Sequence, residues 1–218
     1  MNKYFLTASL LITITAFCGC FGCSDSKSEN TFDGVFTLEA ALEGKSSHIG
    51  TCFYADGFFY TNAHLILFKE LGVYLEAEKA IATDSNNNEY ALTIIDYSLD
   101  NDIARLKYNE SIDSQRDILV GYETTIGEEL YTISNLGGYG LAYGYGRVTS
   151  GIKTFNNLGT QIDYVQTNIE ISSGSSGAPV INNENKIIGI MSMKLTKDGQ
   201  YLDGASFFVR IIDYWDHG

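Results

Sequence analysis

The sequence predicts an all-β domain, and three observations carry that expectation. Twenty-two glycines, 15 tyrosines and 12 phenylalanines stand against a single proline in 218 residues, a composition suited to short strands and tight turns rather than long helices. Short apolar or alternating runs recur from Val35 onward between turn residues, the pattern of a sandwich or barrel. With 44% hydrophobic and 19% charged residues, the length fits one globular domain with a full core plus a short leader.

The leader comes first. Lys3 precedes an apolar run that ends at Phe17, the pattern of a secretory signal peptide, and the run falls short of the ~20 apolar residues of a spanning helix. It closes on Cys18-Gly19-Cys20-Phe21-Gly22-Cys23, which places a cysteine after a glycine twice. Such a junction resembles a bacterial lipoprotein processing site, in which the cysteine after the cut is acylated. Cys20 fits that role best. Phe17 and Cys18 depart from the aliphatic and small residues preferred there, so Cys18 and Cys23 stay as alternatives, as does a plain signal peptide with incidental cysteines. The expected organisation is a signal peptide over residues 1–20, a flexible tether over 21–32 that is polar from Ser24 to Asn30, and a folded domain over 33–218. Export to a bacterial cell envelope follows, lipid-anchored or else soluble in the periplasm or medium.

The body follows as a series of strands. Runs are expected at residues 49–54, 58–61, 73–82, 90–97, 103–107, 130–134, 146–152, 161–166, 179–181, 187–195 and 206–209. Residues 84–88 and 182–185, rich in Asn and Asp, read as hairpin tips, and 61–66 as a helical turn. The glycine- and tyrosine-rich segment 137–146 reads as a mobile surface loop, since its spacing matches no phosphate-cradling fingerprint. Only Cys52 lies in the body, so a disulfide framework is excluded, and its apolar run makes it a buried, inert thiol. A formal charge of −13 with no basic cluster argues against nucleic acid as a partner. The histidines are too few and scattered for a His-based metal site, and no cofactor is expected.

One segment carries nucleophile chemistry. Gly174-Ser175-Ser176-Gly177-Ala178-Pro179 encloses a serine between glycines just before an apolar strand. A turn of this kind exposes Oγ and can aim successive backbone N–H groups into one concavity, as a tetrahedral oxyanion requires. Gly174 and Ser176 are the candidate N–H donors. A serine nucleophile needs a base and a group to orient it. His48 lies beside two serines and His217 near the terminus, both surface readings, whereas His64 follows an apolar strand. Asp102 precedes Ile103-Ala104, which would carry it into the core; Asp96 and Asp100 are its neighbouring competitors.

Taken together, Gly50-Thr51-Cys52-Phe53, Tyr60-Thr61-Asn62-Ala63-His64, Asp102-Ile103-Ala104-Arg105-Leu106-Lys107, Gln166-Thr167-Asn168 and the Gly174–Pro179 segment resemble, in order, the motifs of trypsin-like serine peptidases, particularly the bacterial Deg/HtrA type. The resemblance spans about residues 45 to 212. It implies two six-stranded antiparallel β-barrels with the active site in the cleft between them. It also implies a catalytic triad of His64, Asp102 and Ser176, an oxyanion hole at Gly174 and Ser176, and protein or peptide substrates cleaved through an acyl-enzyme. The peptide-binding PDZ module that follows many such domains is not expected here. Ser175 stands where digestive relatives carry an aspartate that captures a new N-terminus, so activation by that route is not expected. Ser192 resembles a serine that supports the aspartate and lines the substrate strand with Met193 and Lys194. Glu170 stands where trypsin binds Arg or Lys side chains, but Lys194 can neutralise it. Ile171 and Phe207 point instead to an apolar pocket, and a glutamyl-endopeptidase-like preference is a third reading. A catalytically silent barrel serving as a surface binding or scaffold lipoprotein is the alternative from another class.

Overall fold

The computed structural model describes residues 32–113 and 116–211. Fourteen strands are assigned: β1 (Val35–Ala41), β2 (His48–Ala55), β3 (Phe58–Thr61), β4 (Leu67–Glu70), β5 (Val73–Glu76), β6 (Lys79–Thr83), β7 (Glu89–Ser98) and β8 (Ile103–Lys107) come from the first half. The second half supplies β9 (Glu129–Asn135), β10 (Leu141–Asn157), β11 (Thr160–Thr167), β12 (Pro179–Asn182), β13 (Ile187–Lys197) and β14 (Gln200–Arg210). They close into two six-stranded antiparallel barrels, β1-β2-β3-β8-β7-β6 and β10-β11-β14-β13-β12-β9, with β4 and β5 as a separate hairpin. A four-residue helix α1 (Ala63–Ile66) follows β3, where the sequence predicts a helical turn.

Turn chemistry fixes the registers. Asp56 and Gly57 both adopt positive φ, 49° and 85°, and so pair Ala55 with Phe58 through the tight turn that right-twisted strands favour. The tips at 84–88 and 182–185 form as expected. Asp84 Oδ1 accepts the Asn86 and Asn88 N–H groups, and Asn182 Oδ1 accepts those of Glu184 and Lys186.

Two expectations need correction. Residues 73–82 hold two strands, not one, because the chain leaves the β4–β5 hairpin and the Ala77 N–H turns to the Ile66 carbonyl before β6 joins β1. The segment 137–146 is a loop only to residue 140. From Leu141 it is strand β10, paired with β9 through Tyr143↔Ile133 and Tyr145↔Tyr131. Its glycines are packing sites: a Cβ at Gly146 would lie 2.7 Å from the Ile169 backbone nitrogen, and one at Gly144 would press on Ile169 and Thr132. Bulges between Val148 and Ile152 then bend this 17-residue strand from β9 onto β11.

Three buried clusters hold the fold. One fills the first barrel around Phe36, Leu38, Phe59, Leu65 and Leu106, and one fills the second around Val148, Val165, Val180, Ile188 and Phe208. The third joins them: Phe53, Tyr60 and Ile103 of the first barrel pack with Ile162, Tyr164, Ile190 and Phe207 of the second. This shared core fixes the barrels against each other and so defines the cleft. Cys52 is free and fully buried, and burial pushes its thiol far up, which leaves it protonated and unreactive.

Candidate active site

His64 lies in α1, directly after the strand that pairs with β8, so the fold carries the histidine toward the residue preceding β8. That residue is Asp102, fully buried and held at a φ of 51°, a left-handed conformation Asp tolerates better than most residues. Its carboxylate is saturated with donors. The His64 backbone N–H donates to Oδ1 at 3.0 Å, His64 Nδ1 to Oδ2 at 2.8 Å, and the Ser192 hydroxyl to Oδ2 at 2.6 Å. Nδ1 thus carries the proton and leaves Nε2 as the basic nitrogen. Burial alone pulls the imidazole pKa down, but the charge and hydrogen bond of Asp102 outweigh it and hold His64 above the ordinary histidine value. The competing acids are occupied elsewhere: Asp96 pairs with Arg105, and Asp100 accepts the Thr160 hydroxyl.

Ser176 is half-buried in the turn between β11 and β12 of the second barrel. The sequence reading expects its hydroxyl within reach of His64. In the structure it donates instead to the Ser192 carbonyl at 2.9 Å. Ser192 therefore touches both sides, its hydroxyl on Asp102 and its carbonyl on Ser176. Beyond it lies Tyr164, whose buried phenol is pushed up to about 12, first by burial and then by the Asp102 charge.

The glycine turn is clamped in place. Gly174 has a φ of 91° and no room for a side chain, since a Cβ would come within 2.3 Å of the Asn135 carbonyl oxygen. The Gly137 N–H donates to the Ser173 carbonyl at 2.9 Å, which turns the Gly174 N–H the opposite way across the planar peptide. Among the described residues, neither the Gly174 nor the Ser176 N–H donates to an acceptor. Ser175, in the place of the family's aspartate, is buried and tied by its hydroxyl to Ser134 at 3.2 Å and to the Ser172 N–H at 3.3 Å.

Two residues that motif reading passed over lock this turn to the first barrel. Asn62 donates through Nδ2 to the Asp102 carbonyl at 2.9 Å and accepts the Gly177 N–H at 2.7 Å. Thr51 donates its hydroxyl to the Gly174 carbonyl at 2.8 Å and accepts the Asn135 N–H at 2.9 Å, while its own N–H donates to the Ser176 carbonyl at 2.8 Å. The available signal was a polar residue inside each apolar run, because a buried Thr or Asn must find partners.

The remaining predicted residues divide. Lys194 Nζ donates to Glu170 Oε2 at 2.6 Å. Met193 is partly buried and packs on the shared core, while Ile171 and Phe207 are buried in core clusters. Cys20 and His217 lie outside the described residues. Among the described residues no group of three or more potential ligands is placed to hold a metal. A surface cavity of about 490 Å³ is lined by Glu129, Tyr131, Tyr145 and Arg147 at the end of β9 away from the cleft.

Two closed barrels with a histidine, a buried acid and a glycine-framed serine in their cleft define the class of the trypsin-like serine peptidases. The family model for the trypsin-like peptidase domain matches residues 49–190, and the chain belongs to that family. It is 25% identical over 169 residues to a probable periplasmic serine endoprotease DegP-like of Pseudomonas putida, an alignment covering 78% of this chain and 33% of that protein. It is 27% identical over 159 residues to serine protease HTR4 of Rattus norvegicus, covering 69% and 30%. The chain thus spans about a third of the length of the curated relatives it matches. In structure it is similar to the HtrA-type protease AlgW with a tripeptide, at a TM-score of 0.70 and 21% identity over 86% of this chain and 59% of that one. A serine endoprotease from Yersinia pestis gives 0.67 and 17%, over 86% and 62%. These two show the fold.

Proposed function

We propose that this chain is an exported serine endopeptidase that hydrolyses peptide bonds through an acyl-enzyme, with Ser176 as nucleophile, His64 as general base and Asp102 orienting the imidazole. The observation that carries the reading is the buried Asp102 carboxylate, which fixes the His64 tautomer and reaches Ser176 through Ser192. A rotation about the Ser176 Cα–Cβ bond moves its hydroxyl from the Ser192 carbonyl toward Nε2. His64 then removes the proton as Oγ attacks the scissile carbonyl. The oxyanion is received by the N–H groups of Gly174 and Ser176, donors that in other acyl-transfer enzymes contribute about 3 kcal/mol each. Protonated His64 passes the proton to the leaving amine, and water, activated by the same base, releases the acyl group.

The substrates are proteins or peptides, and no cofactor enters the chemistry. The leader supports export to a bacterial cell envelope, with Cys20 as the acylated anchor residue. The silent-barrel reading rests on one observation, the Ser176 hydroxyl held by the Ser192 carbonyl. Labelling the purified protein with a fluorophosphonate probe separates the two. Label on the native chain that disappears in Ser176→Ala and His64→Ala is the expected result. A folded native chain that takes no label establishes the silent barrel, and label that survives Ser176→Ala removes the assignment. Mass spectrometry of the N-terminal peptide checks acylation at Cys20.

A further inference from the structure

The ion pair of Glu170 and Lys194 spans the two segments that flank Ser176. Glu170 lies on the stretch that enters the glycine turn, and Lys194 lies two residues beyond Ser192 on β13. Its two ends are unequal. The Lys194 side chain is 6% exposed and Glu170 is 64% exposed, so the cation is built into the wall while its counter-ion sits in water and can swing away. Lys194 stands directly opposite Ser206 in the β13–β14 ladder, so their side chains share one face of the sheet. The Ser206 hydroxyl is fully buried and has no hydrogen-bond partner, a condition buried hydroxyls rarely tolerate unless something else completes it.

The three groups together discriminate among substrate side chains. A cationic side chain approaching Ser176 along this wall meets the buried ammonium. An aliphatic one leaves Lys194 with its exposed counter-ion and the Tyr201 ring, 5.8 Å from the ammonium, and Ser206 with nothing. A carboxylate can take the place of Glu170 against Lys194 in a drier setting, where a charge-assisted bond is stronger, and can accept the Ser206 proton. We propose that the pocket beside Ser176 selects peptides with an acidic residue on the acyl side of the scissile bond, Lys194 binding that carboxylate in place of Glu170. This rests on the serine-peptidase reading above. The overall charge of −13 opposes acidic peptides at long range, so the preference resides in the pocket and a change at Lys194 is decisive.

The test uses a peptide series that differs only at that position, Glu, Gln, Lys or Val, with fluorophosphonate labelling run in parallel. The native protein is expected to cleave the Glu peptide with a kcat/KM more than about ten-fold above its Gln isostere. Lys194→Met is expected to bring the Glu/Gln ratio to about one, and Lys194→Arg to keep it well above one. Glu170→Gln, which removes the competing carboxylate, is expected to raise the ratio. A native preference for Lys or Val, or a ratio unmoved by Lys194→Met, overturns the proposal. If the native chain labels at Ser176 and cleaves the series without preference, the pocket assignment fails and catalysis stands. If it neither labels nor cleaves, the catalytic reading fails and this inference falls with it.

Discussion

Asp102 is the residue on which the site's charge balance turns. Its carboxylate accepts three donors while fully buried, so changing it to the neutral, isosteric asparagine keeps the volume and removes the charge that selects the His64 tautomer. Asp102→Asn is expected to lower kcat by about 10⁴-fold with little change in KM, as in other triads of this design. Steady-state kinetics on a peptide substrate checks it. The pH profile carries a second prediction. His64 works as a base only when neutral, and its pKa lies above the ordinary 6.5, so activity rises with pH along a limb whose midpoint lies above that value. A midpoint below 6.5 would mean that burial, not Asp102, dominates. The same raised pKa has the opposite sign for stability: protonated His64 favours the folded state below the ordinary value, and the gain is lost as pH rises through the folded pKa.

At the scale of elements, the cleft depends on bonds that cross between barrels. Thr51 on β2 and Asn62 at the start of α1 tie the glycine turn to the first barrel, and the sequence separations they bridge exceed 100 residues, 123 for Thr51 to Gly174 and 115 for Gly177 to Asn62. Thr51→Val keeps the shape but removes the hydroxyl, leaving the Gly174 carbonyl and the Asn135 N–H without their partner. The expected cost is about 1–3 kcal/mol in stability, with a fall in kcat larger than any rise in KM because the oxyanion donors shift. Thermal melts and kinetics on the one variant check both parts. Bonds of this kind are also where local sequence ceases to encode the structure. The strands with clear alternation, the two Asn-rich tips and the chain order of His64, Asp102 and Ser176 were legible, because local periodicity and local motifs encode them. Thr51 and Asn62 were visible only as polar residues in apolar runs, since their partners are set by the docking of the two barrels. The Tyr-Gly alternation of β10 predicts a loop because glycine marks turns far more often than close packing. The rotamer that hands the Ser176 hydroxyl to Ser192 has no local signature.

For the whole molecule, catalysis requires that two barrels behave as one body. The shared core makes that link with aromatic side chains. Phe53 stacks on Tyr60 inside the first barrel, ring centroids 5.4 Å apart, Phe207 meets Phe155 edge-on at 5.1 Å inside the second, and both pairs pack into the cluster that the barrels share. These contacts belong to one buried cluster drawn from both halves of the chain, so the barrels should unfold in a single cooperative transition. Phe53→Ala opens a cavity at that junction, in a position with no solvent exposure, and is expected to cost about 3–5 kcal/mol. Its effect reaches the chemistry by geometry, because Phe53 follows Thr51 by two residues on β2. Urea unfolding followed by fluorescence and by residual fluorophosphonate labelling checks the prediction. The variant should show one transition at lower urea, with both probes coincident. Two separated transitions in the native protein would show instead that each barrel holds its own fold, and that the cleft is maintained by the Thr51 and Asn62 bonds rather than by the shared core.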